Sequence, residues 1–180
     1  MHKAFNAGTI NEKKALCGVN LSLEDGDFAT VIGGNGAGKS TLLNAVAGVW
    51  PIDRGKILID GVDVTRLPEF RRASYIGRVF QDPMMGTAPT MQIEENLALA
   101  ARRGQHRGLK WGITKAERAE YQKRLHALDL GLEDRMTAKV GLLSGGQRQA
   151  LTLLMASLQT PKLLLLDAVS YTHLTLPTNQ

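Results

Sequence analysis

Eight residues constrain this chain more than any others. Gly33-Gly34-Asn35-Gly36-Ala37-Gly38-Lys39-Ser40 fits the pattern G-x-x-x-x-G-K-[ST]. Phe28 to Ile32, an apolar and β-prone run, precedes it. Helix-forming residues follow it, with Leu42, Leu43, Val46 and Ala47 on one side. Glycines at this spacing let successive backbone N–H groups turn inward around phosphate oxygens, and the following helix adds its positive N-terminal end. Lys39 can reach the outer phosphates as a point charge, and the Ser40 hydroxyl can hold Mg²⁺. The chain must therefore pass from a buried strand, through a tight loop, into a helix.

The rest of the sequence extends that unit. Val19, Leu21 and Leu23 alternate with polar residues as a half-buried strand does, and residues 28–32 read as a buried strand. A helix is expected over 40–49, stopped by Pro51. Residues 56–59 and 62–64 flank Asp60-Gly61 as a hairpin. A short helix fits 68–73, and a strand fits 76–80, ended by Gln81-Asp82-Pro83. Helices are expected over 93–101, over 114–128, opened by a Thr114/Glu117 capping box, and over 144–158. Residues 162–167, a lysine, four leucines and an aspartate, have the pattern of a fully buried parallel strand with an acid at its carboxyl end. This order argues for an α/β fold with a parallel sheet.

With 180 residues, 43% hydrophobic and 22% charged, the composition is that of one globular domain. The longest apolar run, 151–158, is far short of a membrane span. The start carries no secretory signal pattern, and Cys17 is the only cysteine, which fits a reducing compartment. The net charge of +5 is largely local. Residues 102–124 hold Arg102, Arg103, Arg107, Lys110, Lys115, Arg118, Lys123 and Arg124 against Glu117 and Glu120. A nucleic-acid or lipid patch is one reading. A solvated helical face with basic loops is favoured, because aromatics are sparse among the charges, with only Trp111 and Tyr121 in this stretch.

A second constellation is Leu143-Ser144-Gly145-Gly146-Gln147. Ser144 and Gln147 fit a capping box. Capping does not explain two glycines in a first helical turn, where each costs about 1 kcal/mol. A helix start stripped of side chains is a second place for an anion.

The glycine loop at 33–40, a strand ending in Gln81, LSGGQ at 143–147 and LLLLD at 163–167 together resemble the nucleotide-binding domain of ABC ATPases, from about Lys3 to Asp167. The resemblance implies a P-loop NTPase fold of ABC type: a parallel core sheet, an antiparallel β subdomain and a helical subdomain at about 82–142, incomplete at the C-terminus. It implies ATP and Mg²⁺ as cofactors. ATP would be bound by Gly33, Asn35, Gly36, Ala37, Gly38, Lys39, Ser40 and Thr41. Phe5 would stack on adenine, although a ring that only packs is the alternative. Lys39, Gln81 and Asp167 would carry the catalysis, and Ser40, Gln81 and Asp167 would hold Mg²⁺. Ser144, Gly145, Gly146 and Gln147 would contact the ATP of a second subunit in a head-to-tail homodimer.

The region between the motifs has no room for long coiled coils. A transporter subunit is therefore favoured over a DNA-repair ATPase, and nucleic acid is not an expected partner. The resemblance implies the separate ATPase of a bacterial importer, on the cytoplasmic face of the membrane. It would serve a permease docked on the helical subdomain and an extracytoplasmic solute-binding protein. Residues 86–97 and 147–152 are similar to a subgroup linked to aromatic-amino-acid uptake. The alternatives are a soluble ABC ATPase acting on nucleic acid, ribosomes or iron–sulfur assembly, or a non-hydrolysing ATP-binding fragment.

The resemblance fails after Asp167. The family places a water-activating glutamate next, and here that position is Ala168. A switch histidine is also missing, since His173 follows too soon. Val169 to Thr178 matches, residue for residue, the in-frame translation of a transposase-library sequencing adapter. The adapter's bases CT would complete codon 168, and a preceding G, with which glutamate codons also begin, then gives alanine. The expected organisation is a partial nucleotide-binding domain at 1–167 with a non-native tail at 168–180. Such a chain would lack ATP turnover, and its 163–166 strand would be exposed on one side.

Overall fold

The computed structural model describes residues 1–82, 84–105 and 112–167. The tail, with Ala168 and His173, lies outside them, as do Pro83, Arg107 and Lys110. The chain divides into two compact units, Met1–Tyr75 and a second beginning at Ile76.

In the first unit, β1 (His2–Phe5) and β2 (Lys13–Cys17) form an antiparallel ribbon that the sequence reading did not anticipate. Asn6 and Gly8, both at positive φ, turn the chain between them. Helix α1 (Lys39–Ala47) packs Leu42 and Ala45 against Leu16 of β2, with Val19, Val46 and Ile52 closing the cluster. The helix ends earlier than Pro51 would end it. Gly48 takes φ 89°, and its N–H donates to the Asn44 and Ala45 carbonyls, so a left-handed glycine caps it. The expected hairpin is present as β3 (Leu58–Ile59) and β4 (Val62–Asp63), turning through Asp60 and Gly61 at φ 51° and 74°. Helix α2 (Glu69–Arg72) follows.

Two expected strands do not form. Residues 19–23 and 28–32 join no ladder, and Phe28 and Ile32 are 85% and 90% exposed. A strand's backbone groups need a neighbouring strand to bond, and no described strand lies beside these segments. Their composition favours extended structure, but composition supplies no partner.

In the second unit two of the expected strands are present and pair in parallel: β5 (Ile76–Val79) runs beside β6 (Leu163–Leu166), in register from Ile76↔Leu163 to Val79↔Leu166. Among the described residues β6 pairs only with β5. Helices α3 (Ile93–Ala101), α4 (Lys115–His126) and α5 (Gly145–Ser157) stand where the sequence placed them. They enclose one core built from Ile93, Leu97, Tyr121, Leu125, Leu132, Val140 and Leu151. A second face of α5 covers the strands, packing Leu153 and Ala156 on Val79. A Cβ on Gly77 would stand 2.9 Å from the Ala156 carbonyl oxygen, so glycine there permits the close approach of α5 to β5.

Candidate nucleotide-binding site

The glycine loop is seated on β2. Gly38, the N-cap of α1, has φ 89°, and a Cβ there would meet the Ala15 carbonyl oxygen at 2.6 Å. Both the dihedral and the contact exclude other residues. Gly36 also takes positive φ, 81°, while a Cβ on Gly34 would meet nothing within 4 Å. Asn35, Gly36, Ala37 and Ser40 are exposed, and Gly38, Lys39 and Thr41 are partly so. Lys39 folds back over the loop, its Nζ donating to the carbonyls of Gly33 at 2.6 Å and Gly34 at 2.8 Å. An ammonium held on its own loop stands ready to exchange two carbonyl acceptors for more strongly charged phosphate oxygens.

Phe5 ends β1. Its ring meets Trp50 edge to face, centroids 5.0 Å apart at 84°. The Lys3 ammonium lies 5.5 Å from the Phe5 centroid and pairs with Asp53 at 3.2 Å. The Ala4 N–H donates to the other Asp53 oxygen at 2.6 Å. That hydrogen bond, and then Lys3, hold the Asp53 carboxyl below its ordinary range.

In the second unit Gln81 and Asp167 come together: with Phe80, Asp82 and Met85 they line one open depression at the carboxyl ends of β5 and β6. The parallel register delivers them there, and the Asp167 N–H continues the ladder to the Val79 carbonyl at 3.0 Å. The Arg78 guanidinium stands 4.0 Å from the Asp167 carboxylate and 4.4 Å from the Phe80 ring centroid. One carboxylate and one amide oxygen are hard donors of the kind Mg²⁺ accepts alongside water and phosphate. No group of three or more His, Cys, Asp or Glu that could hold an ion occurs among the described residues.

The signature segment has the anticipated cap. Ser144 Oγ accepts from the Gln147 N–H at 3.3 Å, and Gln147 Oε1 accepts from the Ser144 N–H at 3.1 Å. Ser144, Gly145 and Gly146 are exposed, and a Cβ on either glycine would meet nothing within 4 Å. The first turn of α5 is thus open to a ligand. Arg148 braces the approach to it, and sequence reasoning had given this residue no role. Its guanidinium donates to the carbonyls of Gly141 and Leu143, both at 3.1 Å, and it contacts the Met84 sulfur. The sequence signal is spacing alone: Arg148 follows Ser144 by one helical turn.

Three arginines of the basic stretch are paired: Arg102 with Glu117 at 2.9 Å, Arg118 with Glu94 at 2.6 Å and Arg124 with Glu120 at 2.7 Å. The Arg102 and Arg124 pairs lie at the surface, whereas Arg118 reaches a buried Glu94. No described helix is long and apolar enough to cross a membrane.

The model of the family described as ABC transporter matches residues 16–170. A tyrosine transport ATP-binding protein of Clostridioides difficile is 44% identical over 150 residues, 83% of this chain and 59% of that protein. The spermidine/putrescine import ATP-binding protein PotA of Hahella chejuensis is 37% identical over 159 residues, 88% of this chain and 40% of that protein. The chain thus spans between two fifths and three fifths of the length of these relatives. An ATP-binding cassette solved as a dimer in a post-hydrolysis state, bound to ADP and Pi, superposes with a TM-score of 0.76 at 28% identity. That match covers 94% of this chain and 72% of the solved one. A glycine loop seated on a β-ribbon, a capped and open signature helix and an acid ending a parallel strand therefore have the family's sequence around them, and the chain belongs to the ABC transporter ATP-binding family.

Proposed function

We propose that residues 1–167 are the nucleotide-binding part of an ATP-driven importer subunit that takes up an aromatic amino acid, and that residues 168–180 are a non-native tail. The observation that carries the reading is the loop itself: Gly36 and Gly38 at positive φ, the helix behind them, and Lys39 held on the Gly33 and Gly34 carbonyls. On binding, Lys39 leaves those carbonyls for the outer phosphates of ATP, while loop N–H groups between Gly33 and Thr41 take the inner ones. Phe5 stacks on the adenine. Ser40, Gln81 and Asp167 would be the residues to hold Mg²⁺, which would offset the charge that develops on the phosphates. Ser144, Gly145, Gly146 and Gln147 close on the nucleotide of a second copy in a head-to-tail pair. The dimeric solved relative and the open first turn of α5 support that arrangement.

The solute class rests on the tyrosine transport relative. The helical region at about 82–142 would dock on a membrane permease, placing the subunit at the cytoplasmic face, with an extracytoplasmic solute-binding protein delivering the amino acid. Hydrolysis itself needs a base for the attacking water. Position 168, directly after Asp167, is alanine, so this chain binds ATP without turning it over.

Equilibrium binding and steady-state turnover test the reading together. The chain is expected to bind ATP in a magnesium-dependent way, to lose that binding with Lys39→Ala, and to show no ATP turnover above that variant. Failure to bind ATP would overturn the site, whereas sustained turnover would overturn the role assigned to position 168.

A further inference from the structure

The β1–β2 ribbon brings a second lysine to the phosphate loop. Phe5 and Lys13 are directly paired across the ribbon, so their side chains share a face. The Lys13 ammonium lies 4.0 Å from where a Cβ on Gly36 would stand, in the middle of the loop. Lys13 is exposed and forms no ion pair among the described residues. Its neighbours differ. Lys14 lies 4.0 Å from Glu12, and Lys3, near the same ring, is neutralised by Asp53. Lys39 is already engaged by loop carbonyls. Lys13 is therefore an uncompensated positive charge beside a loop whose open N–H groups suit an anion, and the two fields add.

We infer that Lys13 is a second cationic contact for the nucleotide and binds its α- and β-phosphates. The inference rests on the ATP-binding reading above. The placement follows from the register. Phe5 takes the base, Lys39 takes the outermost phosphate, and Lys13 stands across from Phe5 and beside mid-loop Gly36. The phosphates nearest the base are those within its reach. Lys13 then discriminates nucleotides from nucleosides without distinguishing di- from triphosphate.

The test measures the affinities of the chain for ATP, ADP and adenosine with magnesium, at low and high salt, for the unsubstituted protein, Lys13→Met, Lys13→Arg and Lys39→Ala. Thermal midpoints confirm that each variant folds alike. Lys13→Met is expected to weaken ATP and ADP equally, about fivefold, the upper range for one exposed charge pair. Adenosine should bind unchanged, Lys13→Arg should retain affinity, and high salt should shrink the loss. Unaltered ATP affinity in Lys13→Met would overturn the inference. So would an equal loss for adenosine, which would mark a distorted ribbon. In both cases binding that depends on Lys39 leaves the ATP site standing. Absence of ATP binding by the unsubstituted chain, or binding indifferent to Lys39→Ala, overturns the site and this inference with it.

Discussion

Leu97, Leu125 and Leu151 of the second unit are fully buried, while Phe28 and Ile32 of the first, no less apolar, are 85% and 90% exposed. The difference lies in where each segment finds its hydrogen bonds. A helix bonds within itself, so the backbones of α3, α4 and α5 need no neighbour for their hydrogen bonds, and packing their apolar faces on one another stabilises all three. A strand bonds to a neighbour, and residues 28–32 pair with no described strand, whereas β5 has β6. Equal hydrophobicity therefore gives a closed core in one region and an apolar surface in the other.

The largest effect expected from this contrast is in the helical core. Leu125 is fully buried among Ile93, Leu97 and Tyr121. Leu125→Ala should cost about 3 kcal/mol through lost burial and the cavity left behind. Urea unfolding followed by helical circular dichroism reads it. A loss below about 1 kcal/mol would mean that the helices are not packed as a core, and the contrast would fail.

The first unit is not uniformly open, and Arg72 sharpens the comparison. Its side chain is buried, with Nε donating to the Leu67 carbonyl, Nη1 to those of Ala45 and Val46, and Nη2 to that of Thr65, at 2.8–2.9 Å. Burial pushes its pKa down, but a guanidinium keeps its charge. It ties the carbonyl end of α1 to the loop after β4, and a Cβ on Gly48 would stand 2.8 Å from its Nε. Arg72→Met should cost about 2–3 kcal/mol, because several carbonyls lose charge-assisted donors together. Amide exchange should speed up around 44–48 and 64–67 while α3–α5 stay protected. Unchanged exchange at 44–48 would separate Arg72 from the stability of α1.

How much of this was legible in the sequence follows the same division. The capping boxes at Thr114/Glu117 and Ser144/Gln147 were readable, because both partners lie within one turn. So were the Asp60-Gly61 hairpin and the β6 strand with Asp167 at its end, although the full burial expected from four successive leucines is reached only at Leu165, the other three being half-buried in a strand that pairs only with β5 among the described residues. The phosphate loop was readable because glycine is required at Gly36 and Gly38 by backbone geometry. What could not be read was pairing at a distance. The β1–β2 ribbon was missed, and with it the placement of Lys13 beside Gly36. The strand at 28–32 was expected from composition, which is silent about neighbours. Arg72 was indistinguishable in the sequence from adjacent Arg71, which is exposed.

A smaller effect should appear in acid at the start of α4. Glu117 Oε2 accepts from the Thr114 N–H and from its hydroxyl, both at 2.8 Å, and Oε1 accepts from Arg102 at 2.9 Å. The Thr114 N–H above all, and then the Arg102 bond, pull the Glu117 pKa from 4.5 down to about 2. A carboxyl whose folded pKa is depressed adds stability that is present in full above 4.5 and lost as pH falls toward about 2. The gain is modest because the side chain is a third exposed. Carboxyl chemical shifts followed from pH 6 to 2 should show Glu117 titrating last among the glutamates. Titration at its ordinary value would show that the box and its arginine are not formed in solution.

The smallest effect is the one that tests the open region most directly. If Phe28 and Ile32 face water, then Phe28→Ser and Ile32→Ser remove no buried area and leave no cavity, so each should change stability by less than about 0.5 kcal/mol. Their effect should fall on association instead. Phe28-Ala29-Thr30-Val31-Ile32 is uncharged, β-prone and unpaired, which makes it a template for another chain. Light scattering against protein concentration should fall in both variants while the unfolding midpoint stays in place. A loss of about 1 kcal/mol or more from either substitution would mean that the segment is packed in solution. The physical reason for the contrast, a strand without a neighbour, would then have to be given up, because burial of an apolar strand requires partners for its backbone as well as for its side chains.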